Sequence, residues 1–139
     1  MNSGPLFSLI LLIGCATSVQ AVEPLEDSVV QRYEVDADVT VSVENIDGSI
    51  RVYAAETPVV RFQAIKKAYN AERLQGIIVD VKASRSRIAI TTSLPPRKNL
   101  LSDRSGTVDY IIVVPQTARL ADLKLSNGEI LVEGLRPGG

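Results

Sequence analysis

Residues 123–134 read Leu-Lys-Leu-Ser-Asn-Gly-Glu-Ile-Leu-Val-Glu-Gly, so that Asn127 and Gly128 lie between two short apolar-rich runs. Apolar residues recur at period two on both sides of this pair, which is the pattern of a β-strand with one buried face. Glycine adopts positive φ at little steric cost, and an Asn-Gly pair between two such runs is typical of a tight turn. The stretch therefore predicts a strand, a turn and a second strand.

The same pattern occurs earlier in the chain. Residues 48–52 read Gly-Ser-Ile-Arg-Val and align with Gly-Glu-Ile-Leu-Val at 128–132, which also aligns Val43 with Leu123. An acidic or amide residue precedes the glycine in both copies, so we predict a structural turn at each, and a hairpin is the simplest interpretation of the first. The predicted turn positions are Asp47, Gly48, Asn127 and Gly128.

The composition favours one soluble, β-rich domain. The chain has 139 residues, of which 45% are hydrophobic and 22% charged, but only 4% are aromatic. The core must therefore be built from Val, Ile, Leu and Ala, and the first two of these favour strands. The net charge of −1 gives no reason to expect nucleic acid as a partner, because nonspecific nucleic-acid binding requires a basic surface.

Alternating apolar residues predict further strands, and one segment predicts a helix. Residues 69–75 contain good helix formers, with Asn70 as a candidate N-cap and Gly76 as a candidate end. The predicted strands are residues 29–35, 39–44, 49–54, 59–67, 77–82, 88–91 and 107–115, and a second hairpin is predicted at 84–86. The predicted core contains Val41, Val52, Phe62, Val79, Ile90, Val108 and Ile112.

The N-terminus has the pattern of an export signal. Residues 6–13 are almost entirely apolar, and this run is shorter than the roughly 20 residues that a membrane-spanning helix needs. Val19-Gln20-Ala21 suits an ordinary signal peptidase, which gives a signal peptide at 1–21, a leader at 22–28 and a domain at 29–139. Leu12-Ile13-Gly14-Cys15 offers the alternative of a lipoprotein signal at 1–14, with membrane attachment through a lipidated Cys15.

The residue inventory argues against catalysis. The chain has no His, and its single Cys15 lies in the predicted export signal, so neither a Ser/His or Cys/His pair nor a histidine metal site can be formed. We therefore predict no catalytic, metal or cofactor site. The carboxylates considered as paired acids or Ca²⁺ ligands fit solvated strand ends better, and they are Asp36, Asp38, Glu44, Asp47 and Asp80. In the long segment 94–106, a solvated loop is favoured over an anion-binding or partner-binding tip formed by Arg97, Lys98 and Arg104.

The order of the motifs resembles a known family. Val-x-Val-x-Asn-x-x-Gly-x-Ile-x-Val at 41–52 is followed by Val-x-Phe-x-Ala, a short helix, Val-Asp-Tyr-x-Ile-x-Val-Pro at 108–115, and Leu-x-Leu-Ser-Asn-Gly-x-Ile-x-Val at 123–132. This order, over residues 39–134, resembles the bacterial putative-adhesin family DUF4097, which is related to the toast-rack and GIN domains. The resemblance implies a β-solenoid-like sheet whose Asn-Gly pairs stack at coil corners, so Asn127-Gly128 could be a corner instead of a hairpin turn.

The resemblance also sets expectations for the end of the chain and for function. Family members continue through several more Ser-Asn-Gly coils, so we expect a chain truncated at its C-terminus, with self-association through the last edge strand. We expect a non-enzymatic exported protein of the periplasm or cell envelope that acts in surface or periplasmic interaction with a protein or cell-surface partner. The alternatives are a regulatory toast-rack-type module of an envelope-stress system and, third, an enzyme that uses carboxylates alone.

Overall fold

The computed structural model describes residues 23–96 and 106–136, and within them the fold is almost entirely β-sheet, as predicted. The elements, in chain order, are β1 (Leu25–Glu34), β2 (Thr40–Ala55), β3 (Val59–Ala68), α1 (Ala71–Gly76), β4 (Ile78–Ala83), β5 (Arg87–Ser93), β6 (Thr107–Pro115) and β7 (Arg119–Glu133).

β2 is the strand around which the sheet is arranged. The strand order is β1-β3-β6-β2-β5-β4, and β7 is added to β2. One edge of β2 pairs in parallel with β5 through residues 40–44 and with β6 through residues 48–55. The opposite edge pairs in parallel with β7, since Val52 has both Ile112 and Val132 as register partners. β2 is therefore covered by other strands on both edges.

The single seven-stranded sheet folds over, so that its part around β5 and its part around β6 face each other across the core as two layers. β5 continues the first layer and β6 the second, and the buried Thr92 hydroxyl of β5 lies 2.6 Å from the Tyr110 hydroxyl of β6. β2 changes its neighbour from β5 to β6 at residues 45–48, where it passes from one layer to the other. We call this bend, and the equivalent residues 125–128 of β7, the corner.

The sequence repeat corresponds to the register between β2 and β7. Gly48 pairs with Gly128, Asp47 with Asn127, and Val43 with Leu123. The hairpin interpretation of Asp47-Gly48 is wrong, because the two runs beside it form one strand and pair with other strands instead of each other. A hairpin turn and a coil corner both use glycine with positive φ, so the local sequence does not separate them.

The core lies between the two layers. All the predicted core side chains are buried except Val79, which is partly buried on the peripheral strand β4. Their neighbours in the core are mainly Val and Ile, together with Tyr110, which is fully buried. The buried side chains of β6 alternate along the strand and are Val108, Tyr110, Ile112 and Val114.

The remaining elements close the sides of this core. The side chain of Asn70 accepts a hydrogen bond from the backbone N–H of Arg73 at 2.7 Å, so α1 has the predicted N-cap. β4 and β5 form the predicted antiparallel hairpin. β1 begins at Leu25, inside the predicted leader at 22–28. These residues belong to the strand because β1 pairs with β3 over its whole length.

Candidate functional site

The glycines at the two corners are required by the carbonyl group of the neighbouring strand. Gly48 has φ +129° and Gly128 has φ +137°. A Cβ atom added to Gly48 would overlap with the carbonyl oxygen of Val108 in β6, and one added to Gly128 would overlap with the carbonyl oxygen of Gly48. β2 therefore approaches β6, and β7 approaches β2, too closely for any side chain at these two positions.

A buried amide joins the first corner to β6. Asn45 is 2% exposed, and its Nδ2 donates a hydrogen bond to the carbonyl oxygen of Val108 at 2.7 Å. Its Oδ1 accepts from the backbone N–H of Ile46 at 2.9 Å. The sequence motif contained Asn45 but indicated no role for it. Leu125 has the equivalent position in β7, so the second corner has no such amide.

The other polar contacts near the corners are at the surface. Asn127 Nδ2 lies 3.5 Å from Asp47 Oδ1, a long contact between exposed side chains. Ser49 donates to Asp109 at 2.9 Å, and Lys67 lies 3.8 Å from the same carboxylate. The solvent-accessible contacts among these contribute little to stability, whereas the Ser49–Asp109 hydrogen bond is half-buried. Neither arrangement provides a paired acid and base.

The outer edge of β7 exposes several apolar side chains. We use this name for the edge of β7 that faces away from β2; among residues 23–96 and 106–136 no strand pairs with it. Ile130 and Val132 are 44% and 39% exposed, whereas their register partners Ile50 and Val52 are fully buried. β7 therefore places core-type side chains where no described strand covers them.

The outer edge of β7 has two arms with different charge. The N-terminal arm, residues 119–125, contains Arg119 and Lys124 as well as Asp122. The C-terminal arm, residues 128–133, contains Glu129 and Glu133 and no basic residue. Lys124 and Glu129 are both exposed. The edge thus combines an apolar strip with ends of unlike charge.

The carboxylates considered as acids or Ca²⁺ ligands are exposed, except Asp47, which is half-buried. Asp36 lies 3.4 Å from the Arg85 guanidinium at the surface. Residues 23–96 and 106–136 contain no group of three or more Asp, Glu, His or Cys side chains that could hold a metal ion. An open depression of about 430 Å³ between strand ends is bordered by the exposed ion pair of Glu56 and Arg136, 3.6 Å apart.

The shifted pKa values belong to tyrosines. Burial raises the pKa of the Tyr110 phenol to about 12, although the hydrogen bond with Thr92 acts in the opposite direction. Burial also raises the pKa of Tyr33, whose ring stacks on Phe62 with 6.3 Å between the ring centroids. Both groups are part of the packing of the core.

Several predicted features lie outside the described residues. These are the export signal with Cys15, and the basic side chains of Arg97, Lys98 and Arg104. Within the described part of the chain, no helix has the length and apolar character needed to cross a membrane.

Comparison with known proteins gives distant structural similarity only. No family model and no curated protein matches the chain. A putative cell adhesion protein from Clostridium sporogenes is similar in structure, with a TM-score of 0.43, 11% sequence identity, and coverage of 79% of this chain and 57% of that one. A putative adhesin from Bacteroides fragilis gives 0.45 and 11%, with coverage of 81% and 46%. The chain thus spans about half the length of both structures, and the function proposed below rests on this chain's own residues.

Proposed function

We propose that this chain is a non-enzymatic, exported β-domain that acts through contacts with other proteins at the cell surface or in the periplasm. The observation that carries the proposal is the outer edge of β7, where Ile130 and Val132 are exposed at positions that are buried in β2. The adhesin-family resemblance of residues 39–134 and the export-type leader support it from the sequence.

An uncovered sheet edge is a binding surface for another strand. Its backbone N–H and C=O groups give affinity, while the side chains of alternate residues give specificity. Edge strands in monomeric proteins are commonly protected by proline, by inward-pointing charges or by a covering loop. The C-terminal arm of β7 has Ile130 and Val132 on its inward face and contains no proline. This arm is therefore suited to strand addition.

Export follows from the leader and is tested separately. Mass spectrometry of the mature N-terminus in the native host distinguishes cleavage after Ala21, lipidation at Cys15 and an unprocessed chain in one measurement. We expect one of the two processed forms in the envelope or periplasmic fraction. An unprocessed chain in the cytoplasmic fraction would contradict the proposed location.

The interaction role is tested by binding of the fluorescently labelled chain to intact cells of the native host. We expect the wild-type chain to bind, and the double variant Ile130→Lys/Val132→Lys to bind at least about tenfold more weakly because it places two charges on the outer edge of β7. The matched control is Val30→Lys on β1, a position that is 51% exposed. Equal binding by the β7 variant and the control would refute the assignment of this edge.

A further inference from the structure

We propose that the outer edge of β7 binds the same edge of a second copy of this chain, with the N-terminal arm of each copy antiparallel to the C-terminal arm of the other. This deepens the proposed function, on which it rests, by naming the chain itself as the partner. The two copies are related by a two-fold axis that passes through the β7 corner at residues 125–128, between Ser126 and Asn127.

The bend in β7 determines this symmetry. A two-fold axis through the corner places the N-terminal arm of one copy beside the C-terminal arm of the other. The outer edges of the two copies then face each other, and the core-facing sides of both lie on the same face of the joined sheet. The two cores then become continuous across the pair. Such a self-complementary interface closes after two copies and does not grow into a fibre.

The other described strands offer no bent edge for β7. The first edge of β2 is covered by β5 and β6, and the far edges of β5 and β6 are covered by β4 and β3. The remaining free edges are those of β1 and β4, which pair with β3 and β5. Among the described strands, only β7 runs beside both parts of β2. Its outer edge is therefore matched in shape by the same edge of a second copy.

The register that centres the axis on the corner matches the side chains on both faces. It places Lys124 opposite Glu129 of the second copy, and Leu123 opposite Ile130. Leu123 and Ile130 both face inward, because their register partners in β2 are the buried Val43 and Ile50. Apolar and oppositely charged cross-strand pairs both stabilise an antiparallel ladder.

An extra residue in β7 brings a further pair of opposite charges together near the ends of the arms. The register with β2 shifts between Val41 and Ser42, so that Ala121 has no partner in β2. One extra residue at this point brings Arg119 of one copy opposite Glu133 of the other. Each pair occurs twice by symmetry, so the interface contains four pairs of opposite charge. Charge complementarity therefore favours this register over other registers of the same two edges.

Charge exchange between copies tests the proposal on the full chain. We expect the wild type to be dimeric in analytical ultracentrifugation, and Lys124→Glu and Glu129→Lys each to raise the dimer dissociation constant about tenfold, since each creates two like-charge pairs. A mixture of the two single variants, and the double variant K124E/E129K, should regain the wild-type constant. The mixture is decisive because Lys124 also lies beside Glu44 of its own chain, whereas Glu129 lies beside Ser49.

Lys82→Glu is the matched control, because it reverses an exposed charge on the β4 edge and should leave the constant unchanged. A wild-type chain that stays monomeric into the millimolar range would overturn the proposal, as would a mixture that fails to regain affinity. Protection of the β7 amides in such a monomer would show that another segment of the chain covers the edge. A monomer that still binds host cells would refute this inference alone, whereas a dimer confined to the cytoplasm would refute only the proposed location.

Discussion

Replacing Gly48 by Ala tests whether the corner glycines are required by the stacking of the coils. The backbone of Gly48 has φ +129°, and an added Cβ would overlap with the Val108 carbonyl oxygen and lie 2.8 Å from its carbonyl carbon. Both atoms belong to the backbone of β6, so no side-chain rotation can relieve the contact. β2 and β6 must separate, or the alanine must leave this conformation.

The expected loss of unfolding free energy in Gly48→Ala is the sum of three contributions. A non-glycine residue in this region of φ costs about 1–3 kcal/mol, and the forced separation of packed strands costs about 1–3 kcal/mol. Alanine also restricts the unfolded chain, which offsets about 0.4–1 kcal/mol. We expect Gly48→Ala to lower the free energy of unfolding by about 1–6 kcal/mol, a large part of the stability of a small domain.

Gly128→Ala is the matched control, because it has the same conformation at φ +137° and an equivalent overlap with the Gly48 carbonyl oxygen. Gly48 lies between β6 and β7, whereas β2 is the one described strand that pairs with β7. β7 can therefore detach locally and escape most of the penalty. We expect a clearly smaller loss of global stability, a lower denaturant m-value, and faster amide exchange confined to β7.

The assay is urea unfolding combined with native-state amide exchange, at a protein concentration where self-association does not contribute. Equal losses of global stability at the two glycines would refute the reasoning, because they would mean that β7 unfolds only together with the core. No loss at Gly48 would contradict the close approach of β2 and β6.

Three further predictions concern buried groups. Phe62→Ala should lower the free energy of unfolding by about 3–5 kcal/mol in urea titration, because Phe62 is fully buried; an unchanged midpoint would contradict its place in the core. Asn45→Ala should cost about 1–3 kcal/mol in the same assay, since it leaves the Val108 carbonyl without its buried donor, and a neutral result would show that water replaces the amide. The raised pKa of Tyr110, about 12, means that its contribution to stability is complete below pH 10 and is lost as the pH rises through about 12. The difference in unfolding free energy between wild type and Tyr110→Phe should therefore fall by about 2–3 kcal/mol over this range, and a constant difference would refute the shift.

The sequence alone was sufficient to predict most of the elements. The period-two pattern predicted β6 with its end at Pro115, the strand containing Phe62, and the inward face of each, because alternation follows directly from strand geometry. The Asn70 cap of α1 and the β4–β5 hairpin depend on neighbouring residues only, and they were predicted as well. The role of Asn45 was missed, because its hydrogen-bond partner Val108 is distant in the chain.

Strand pairing and exposure were decided by the tertiary structure. The Gly48 and Gly128 repeat was visible in the sequence, but the same residues suit a hairpin turn, and only the parallel register of β2 with β7 identifies a coil corner. Alternation predicts that Ile50 and Ile130 both face inward, yet one is fully buried and the other is 44% exposed. The physical reason is that a strand's periodicity specifies which way a side chain points, whereas its burial depends on strands brought beside it from elsewhere in the chain.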